Sequence, residues 1–215
     1  MKYSLRDWQK TSKPIDDLIV QASRIDGSDD GWQPFPIGMQ YNYMHNFHRG
    51  DEIQIGAHEN TVLCCMEVTT DRRRRPHGIN RELIAKNLEK SGIENRALSH
   101  IEYFGMLPQY KFVISPEGNG LDCHRHYEAF FAGSIPIMEY NPLIEEKYKG
   151  CPVLYTTDYS EITESYLLDK YAEMVDKVYD FSALNLSYYS PETQVYIKEC
   201  GNYWTNRFTN RSFYS

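Results

Sequence analysis

From residue 61 onward, short apolar runs alternate with amphipathic stretches, and that alternation restricts the chain to few architectures. Apolar runs bounded by turn formers suit strands buried on both faces, and a 3.6-residue period between them suits helices, so the pattern predicts βαβ units around a parallel sheet. Strands are expected at TVLCCMEV (61–68), YKFVIS (110–115), SIPIM (134–138) and PVLYT (152–156). Ile79, Leu83, Ile84 and Leu88 mark one helix, and Tyr127, Phe130 and Phe131 mark a second. Leu167, Leu168, Tyr171, Met174, Val175 and Val178 mark a long third, and the tail from Pro191 to Phe208 also reads as helix. Right-handed crossovers would bring every strand-to-helix loop to one edge of the sheet. The loops after residues 68, 115 and 156 therefore fall where α/β proteins bind ligands.

Residues 1–60 have another texture. Leu18, Ile19 and Val20 predict one strand, and the DGSDDGWQPFPIG that follows reads as a connector whose prolines forbid a regular helix. A chain of 215 residues has room for one ordinary domain or two small ones. The division expected is a strand-and-connector segment (1–60), a single Rossmann-like α/β domain with a parallel sheet flanked by helices (61–190), and a helical tail (191–215).

A formal net charge of −7 repels polyanions, so nucleic acid is not an expected partner. No apolar stretch approaches the ~20 residues of a membrane-spanning helix. MKYSLRDWQKTSKP lacks the apolar centre of a signal peptide, which places the chain in a cytoplasm. The five cysteines (Cys64, Cys65, Cys123, Cys151, Cys200) are odd in number and show no C-x-x-C spacing, so neither a disulfide framework nor a zinc ribbon is signalled. The 18 tyrosines favour surfaces that stack on rings or pack with one polar end wet.

The stretch SPEGNGLDCHRHYEAFFAGSIPI (115–137) holds the most chemistry: a strand exit, a glycine turn, a helix and the next strand. Gly118 and Gly120 permit positive φ and close approach of a ligand's oxygens to the backbone, with Asn119 between them, and Asp122 is a good N-cap. A helix N-terminus beyond such a turn is a ready phosphate site. Arg125 and Glu128 share a helix face, which suits a diphosphate and a ribose diol respectively. The alternative is structural: Asp122 caps, Arg125 pairs with Glu128, and the glycines make a tight turn, since Cys123 stands where a third glycine of G-x-G-x-x-G would fall.

Taken together, Pro116, Gly118, Gly120, Asp122, Arg125, Glu128, Ala132, Gly133, Ile135 and Pro136 resemble, in order, the nucleotide-sugar-binding motif of exostosin-like glycosyltransferases. The similarity extends more weakly through PVLYTTDYSEIT (152–163) and LCCMEVTTDRRRR (63–75), covering roughly residues 60–205. The resemblance implies the C-terminal, donor-binding half of a GT-B enzyme. Such an enzyme uses a nucleoside-diphosphate sugar, here with a UDP-sugar favoured, and inverts the anomeric centre without a cofactor or a required metal. It implies that Arg125 contacts the diphosphate and Glu128 the ribose. Glu117 departs from the motif, where many relatives carry a cation or a proline, and its carboxylate is a candidate base, although the resemblance implies that such enzymes commonly take the base from their other half. A complete enzyme of this kind has a second Rossmann-like half for a glycan or protein acceptor, and residues 1–60 are too short to form it. Transfer would then need a second subunit or a homodimer. The competing expectation is a catalytically silent donor-domain relic that binds a nucleotide or a partner protein.

The run Arg72–Arg75 follows a predicted strand at the ligand edge, where Arg72 or Arg75 could neutralise a diphosphate or simply be solvated. Cys123 and His124 diverge by ~100° on a helix, so they make a poor nucleophile–base pair. His124 and His126 lie on opposing faces and make a poor metal pair. Asp26, Asp29 and Asp30 resemble the opening of a calcium loop, but position twelve is Ile37 where a bidentate Glu is required. Asp16 and Asp17 do not form a D-x-D metal motif, and Tyr203, Trp204 and Phe208 are expected to pack the terminal helix.

Overall fold

The computed structural model describes residues 1–11, 15–26, 34–49, 52–53 and 58–215. In chain order its elements are β1 (Lys2–Tyr3), α1 (Leu5–Trp8), α2 (Tyr41–Phe47), β2 (His48–Arg49), β3 (Glu52–Ile53), β4 (Asn60–Leu63), α3 (Arg81–Lys90) and α4 (His100–Met106). Then come β5 (Tyr110–Ile114), α5 (His124–Phe131), β6 (Ile135–Glu139), α6 (Pro142–Lys147), β7 (Leu154–Thr156), α7 (Glu164–Met174), β8 (Tyr179–Asp180) and α8 (Pro191–Thr209).

Among the described residues the main sheet has four parallel strands in the order β4-β5-β6-β7. Its register pairs Val62 with Phe112, Phe112 with Ile135, and Ile137 with Leu154. Phe112, Val113, Ile114, Ile135 and Ile137 are fully buried, as expected of parallel strands covered on both faces. The architecture is α/β and compatible with a Rossmann-like domain. Among the described residues the strands run in sequence order without a reversal, so the sheet carries no topological switch point. Among the described residues no helix is long and apolar enough to cross a membrane.

All four expected strands are present with shifted ends: β5 and β7 are shorter than expected, β4 starts one residue earlier and stops sooner, and β6 runs one residue further, to Glu139. The first stops at Leu63 instead of residue 68 because Asn95 captures the backbone beyond it: its Oδ1 accepts from Met66 N (2.9 Å) and its Nδ2 donates to Met66 O (3.1 Å). The stretch Leu18–Val20 is not a strand. Leu18 makes an isolated bridge to Asn185 and Val20 one to Met39, and Gln21 then turns the chain at φ 52°. All three apolar residues are nevertheless fully buried.

The N-terminal segment and the tail share one core with the sheet. Trp8 is fully buried, stacks on Phe181 at 4.0 Å, and donates its indole N–H to Phe130 O of α5 (2.8 Å). The helical tail is α8, capped by Ser190 and ended by Asn210 in the left-handed region. Its aromatics divide: Trp204 donates to Ser23 O (2.7 Å), whereas Tyr203 and Phe208 are exposed, with their rings against Trp204 alone among the described aromatic pairs.

Candidate functional site

The loops after β4 and β5, the first turn of α5, the segment leading into α4 and the connector ahead of α2 enclose a cleft of about 1050 Å³. Gly118, Asn119, Gly120, Asp122, Arg125 and Glu128 all line it. Arg72, Arg75 and Glu117 do not, nor does the loop after β7. The wall expected from that loop is made by Phe35, Ile37 and Gln40 of the connector, and the facing wall by Tyr103 of α4 and Leu98 ahead of it.

Arg81, at the first position of α3, also lines the cleft and was not singled out by the sequence. It is 5% exposed, and its guanidinium donates to Glu117 O (2.8 Å), Pro116 O (3.1 Å) and Glu67 O (3.3 Å). Burial and the neighbouring Arg125 cation lower its pKa. A cation in the first turn opposes the helix dipole, so an arginine directly after the Asn80 N-cap was the sequence signal for a special duty. Arg81 also explains Gly118. Neither Gly118 nor Gly120 adopts positive φ, and a Cβ on Gly118 would lie 2.9 Å from Arg81 Nη2. The glycine is needed for close packing of a guanidinium on the turn, not for its dihedral freedom.

Arg125 donates to Cys65 O (2.8 Å) and lies over the Tyr103 ring at 5.5 Å, while its buried Nε has no hydrogen-bond partner. No ion pair joins it to Glu128 among the described residues, which removes the structural pairing considered for these two. Among the described residues Arg81 and Arg125 donate to backbone carbonyls, Arg125 also lies beside the Tyr103 hydroxyl, and the two guanidinium groups line one cleft without a carboxylate paired to either.

Asp122 does not cap α5. The N-cap is Cys123, which offers no side-chain cap, and the Asp122 carboxylate turns into the interior. There it meets the Lys147 ammonium, the Tyr148 hydroxyl (2.5 Å), His126 Nδ1 (3.3 Å) and Ile37 N (3.3 Å). Burial by itself would raise its pKa, but Lys147 and His126 hold it well below the usual carboxylate range. The connector is fastened along α5 by three side chains in succession: Asp122 to Ile37 N, His124 Nδ1 to Gly38 O (2.7 Å), and Glu128 Oε1 to Gln40 N (3.3 Å).

Glu128 is 1% exposed, and burial raises its pKa from 4.5 to about 7 against the opposing pull of Arg125 and Gln40 N. The unfolded acid ionises near its ordinary value and the folded one only near neutrality, so stability falls as pH rises through that window. Glu128→Gln is therefore expected to stabilise the protein at pH ~8 by about 3 kcal/mol and to have little effect near pH ~4. Urea unfolding at the two pH values checks this. Equal effects at both would mean that ionisation of Glu128 does not contribute.

The residues outside the cleft form a separate charged cluster. Glu117 is held by Arg74 (2.5 Å) and Arg75 (3.7 Å), and Arg75 also pairs with Asp71 (2.7 Å) and Glu139 (2.5 Å). Arg72 pairs with Glu82 on the exposed face (3.1 Å). The Cys123 thiol is buried and its pKa is pushed up to about 11 by that burial, so it is not a ready thiolate. His126 is engaged by Asp122 and Ser115 O. Asp17 accepts from Ser187 and Asp26 from Arg24, while Asp29 and Asp30 lie outside the described residues. Among the described residues no three His, Cys, Asp or Glu side chains converge as a metal site. No protein-family model matches the chain, and no curated protein matches it.

Proposed function

We propose that the cleft binds a nucleoside-diphosphate sugar and that the chain is the donor-binding part of an inverting glycosyltransferase, with a UDP-sugar as the favoured donor. The observation that carries this reading is the pair Arg81 and Arg125: one cation almost wholly buried and one partly buried, both lining the cleft beside an uncapped helix N-terminus and, among the described residues, without paired carboxylates. Unpaired buried charge is destabilising, and a bound dianion is the natural complement to it. The exostosin-like motif supplies the finer assignment, in which Arg125 meets the diphosphate and Glu128 the ribose. The acceptor hydroxyl would attack the anomeric carbon in line while the two guanidinium groups stabilise the departing diphosphate. The acceptor, a glycan or a protein hydroxyl, would be held by a surface facing this cleft, a second subunit or a second copy among the candidates, since in-line attack requires the acceptor oxygen to be positioned against the anomeric carbon.

The test is thermal shift and calorimetry with UDP and GDP at about millimolar concentration, because a ligand bound only to the folded state raises Tm. Arg125→Met should weaken binding by ~1–3 kcal/mol, as expected for lost charge-assisted hydrogen bonds, while leaving the apo protein as stable as before or more so. Unaltered binding with reduced stability would make Arg125 a structural residue.

One observation favours the second reading, a silent nucleotide- or partner-binding module: Glu117, the carboxylate considered as base, is committed to Arg74 and Arg75. Nucleotide binding without transfer or donor hydrolysis at any protein concentration would select that reading.

A further inference from the structure

The deep end of the cleft holds a carboxylate in an unusual position. Glu128 is almost wholly buried, and its hydrogen bond comes from the backbone N–H of Gln40 at 3.3 Å. The groups that face it are Arg125 on its own helix, the Tyr103 ring and hydroxyl of α4, and Tyr43 of α2. Both tyrosine hydroxyls are neutral near physiological pH, because burial drives their pKa values far up. Arg125 is therefore the one full charge that favours the ionised acid among these groups, and it acts through space, without an ion pair. His124, one turn back, faces the connector through Gly38 O, and burial lowers its pKa.

An anion bound between Arg81 and Arg125 would change this balance in two ways. It would offset the field of Arg125, and it would add negative charge close to Glu128. Both effects favour the protonated acid. We propose that the cleft takes up a proton on Glu128 when its anionic ligand binds, so that affinity falls as pH rises above neutrality. This regulation rests on the reading of the cleft as a nucleoside-diphosphate-sugar site. The balance is simple: one proton leaves the buffer and forms the O–H bond of the Glu128 carboxyl, with no other bond made or broken. The neutral acid can still donate to and accept from a ribose hydroxyl.

The test is calorimetric titration with uridine diphosphate glucose, whose diphosphate diester does not titrate near neutrality. At about pH 7.5 the heat should differ between HEPES and Tris buffers, whose ionisation enthalpies differ and which offer no phosphate to the site, by an amount equivalent to uptake of roughly half a proton or more. Between about pH 7.5 and 8.5 the affinity should fall severalfold, with a ceiling of ~10-fold per pH unit. Glu128→Gln, fixed in a neutral form, should give the same heat in both buffers and an affinity that does not vary over that range. A wild-type heat independent of buffer, or a net release of protons, would overturn the proposal while leaving the site in place. Uptake that survives in Glu128→Gln would assign the proton to His124 or another group and overturn it equally. No binding under any condition would remove the reading of the cleft itself, and the proposal with it.

Discussion

Asp122→Ala should lower stability by about 3–5 kcal/mol, the range for removing one partner of a buried ion pair. The three roles open to this residue predict different numbers. A helix N-cap would be worth ~1 kcal/mol, and a residue that only contacted the donor would leave the apo protein unchanged. The observed cage predicts far more, because Lys147 would remain as a buried ammonium and the Tyr148 hydroxyl and Ile37 N would lose their acceptor. Denaturant unfolding near neutral pH measures it. The double variant Asp122→Leu with Lys147→Met should recover much of the loss, since a well-packed apolar pair can replace a buried ion pair. The folded carboxyl has a depressed pKa, so its contribution is present above the ordinary carboxylate value and is lost as pH falls through the folded one. A loss of only ~1 kcal/mol, unaffected by the second substitution, would restore the capping role.

The parallel sheet was legible because its signal is local. Phe112–Ile114 and Ile135–Ile137 are continuous apolar runs that only strands covered on both faces accommodate, and the tail read as helix from Pro191 is α8. The glycine turn and α5 were legible for the same reason, and six residues expected there do line one cleft. What the sequence did not disclose depends on partners far along the chain. Asp122 has the chemistry of an N-cap, and only Lys147 and Tyr148, 25 and 26 residues later, draw it inward. Arg75 and Glu117 are ordinary site candidates until Asp71 and Glu139 are placed beside them. The end of β4 likewise depends on Asn95, a side chain 29 residues beyond the Met66 backbone it captures. The connector looked like a spacer because proline and glycine say where a chain turns, not what it lies against. Its register along α5 is set by single hydrogen bonds, from Ile37 N to Asp122, between His124 Nδ1 and Gly38 O, and from Gln40 N to Glu128, which have no periodic signature.

Gly38→Ala should be the most damaging single substitution for that wall of the cleft, at ~4 kcal/mol or more. Gly38 sits at φ +66°, which an alanine adopts only at ~1–2 kcal/mol, and its Cβ would lie 1.9 Å from the carbonyl oxygen of Ile19. Backbone oxygen cannot rotate away as a side chain can, so the two segments must part. Parting breaks the bonds from Met39 N to Ile19 O (3.0 Å), Gln21 N to Met39 O (2.8 Å) and Ala22 N to Ile37 O (2.8 Å), and it frees His124 from Gly38 O. Each buried group left unpaired adds ~1 kcal/mol or more. The comparison with Gly118→Ala separates scaffold from site. There the clash is with the far end of the flexible Arg81 side chain, at 2.9 Å, and φ is not positive, so stability should fall less than for Gly38→Ala, by the bonds Arg81 gives up to Pro116 O and Glu117 O, while the guanidinium is pushed from the turn. Unfolding should therefore shift strongly for Gly38→Ala and less for Gly118→Ala, while nucleotide affinity should fall for Gly118→Ala in a protein that still folds. If Gly38→Ala instead melts like the parent, the connector does not hold this register against Ile19, and the cleft wall built from Phe35, Ile37 and Gln40 must be redrawn.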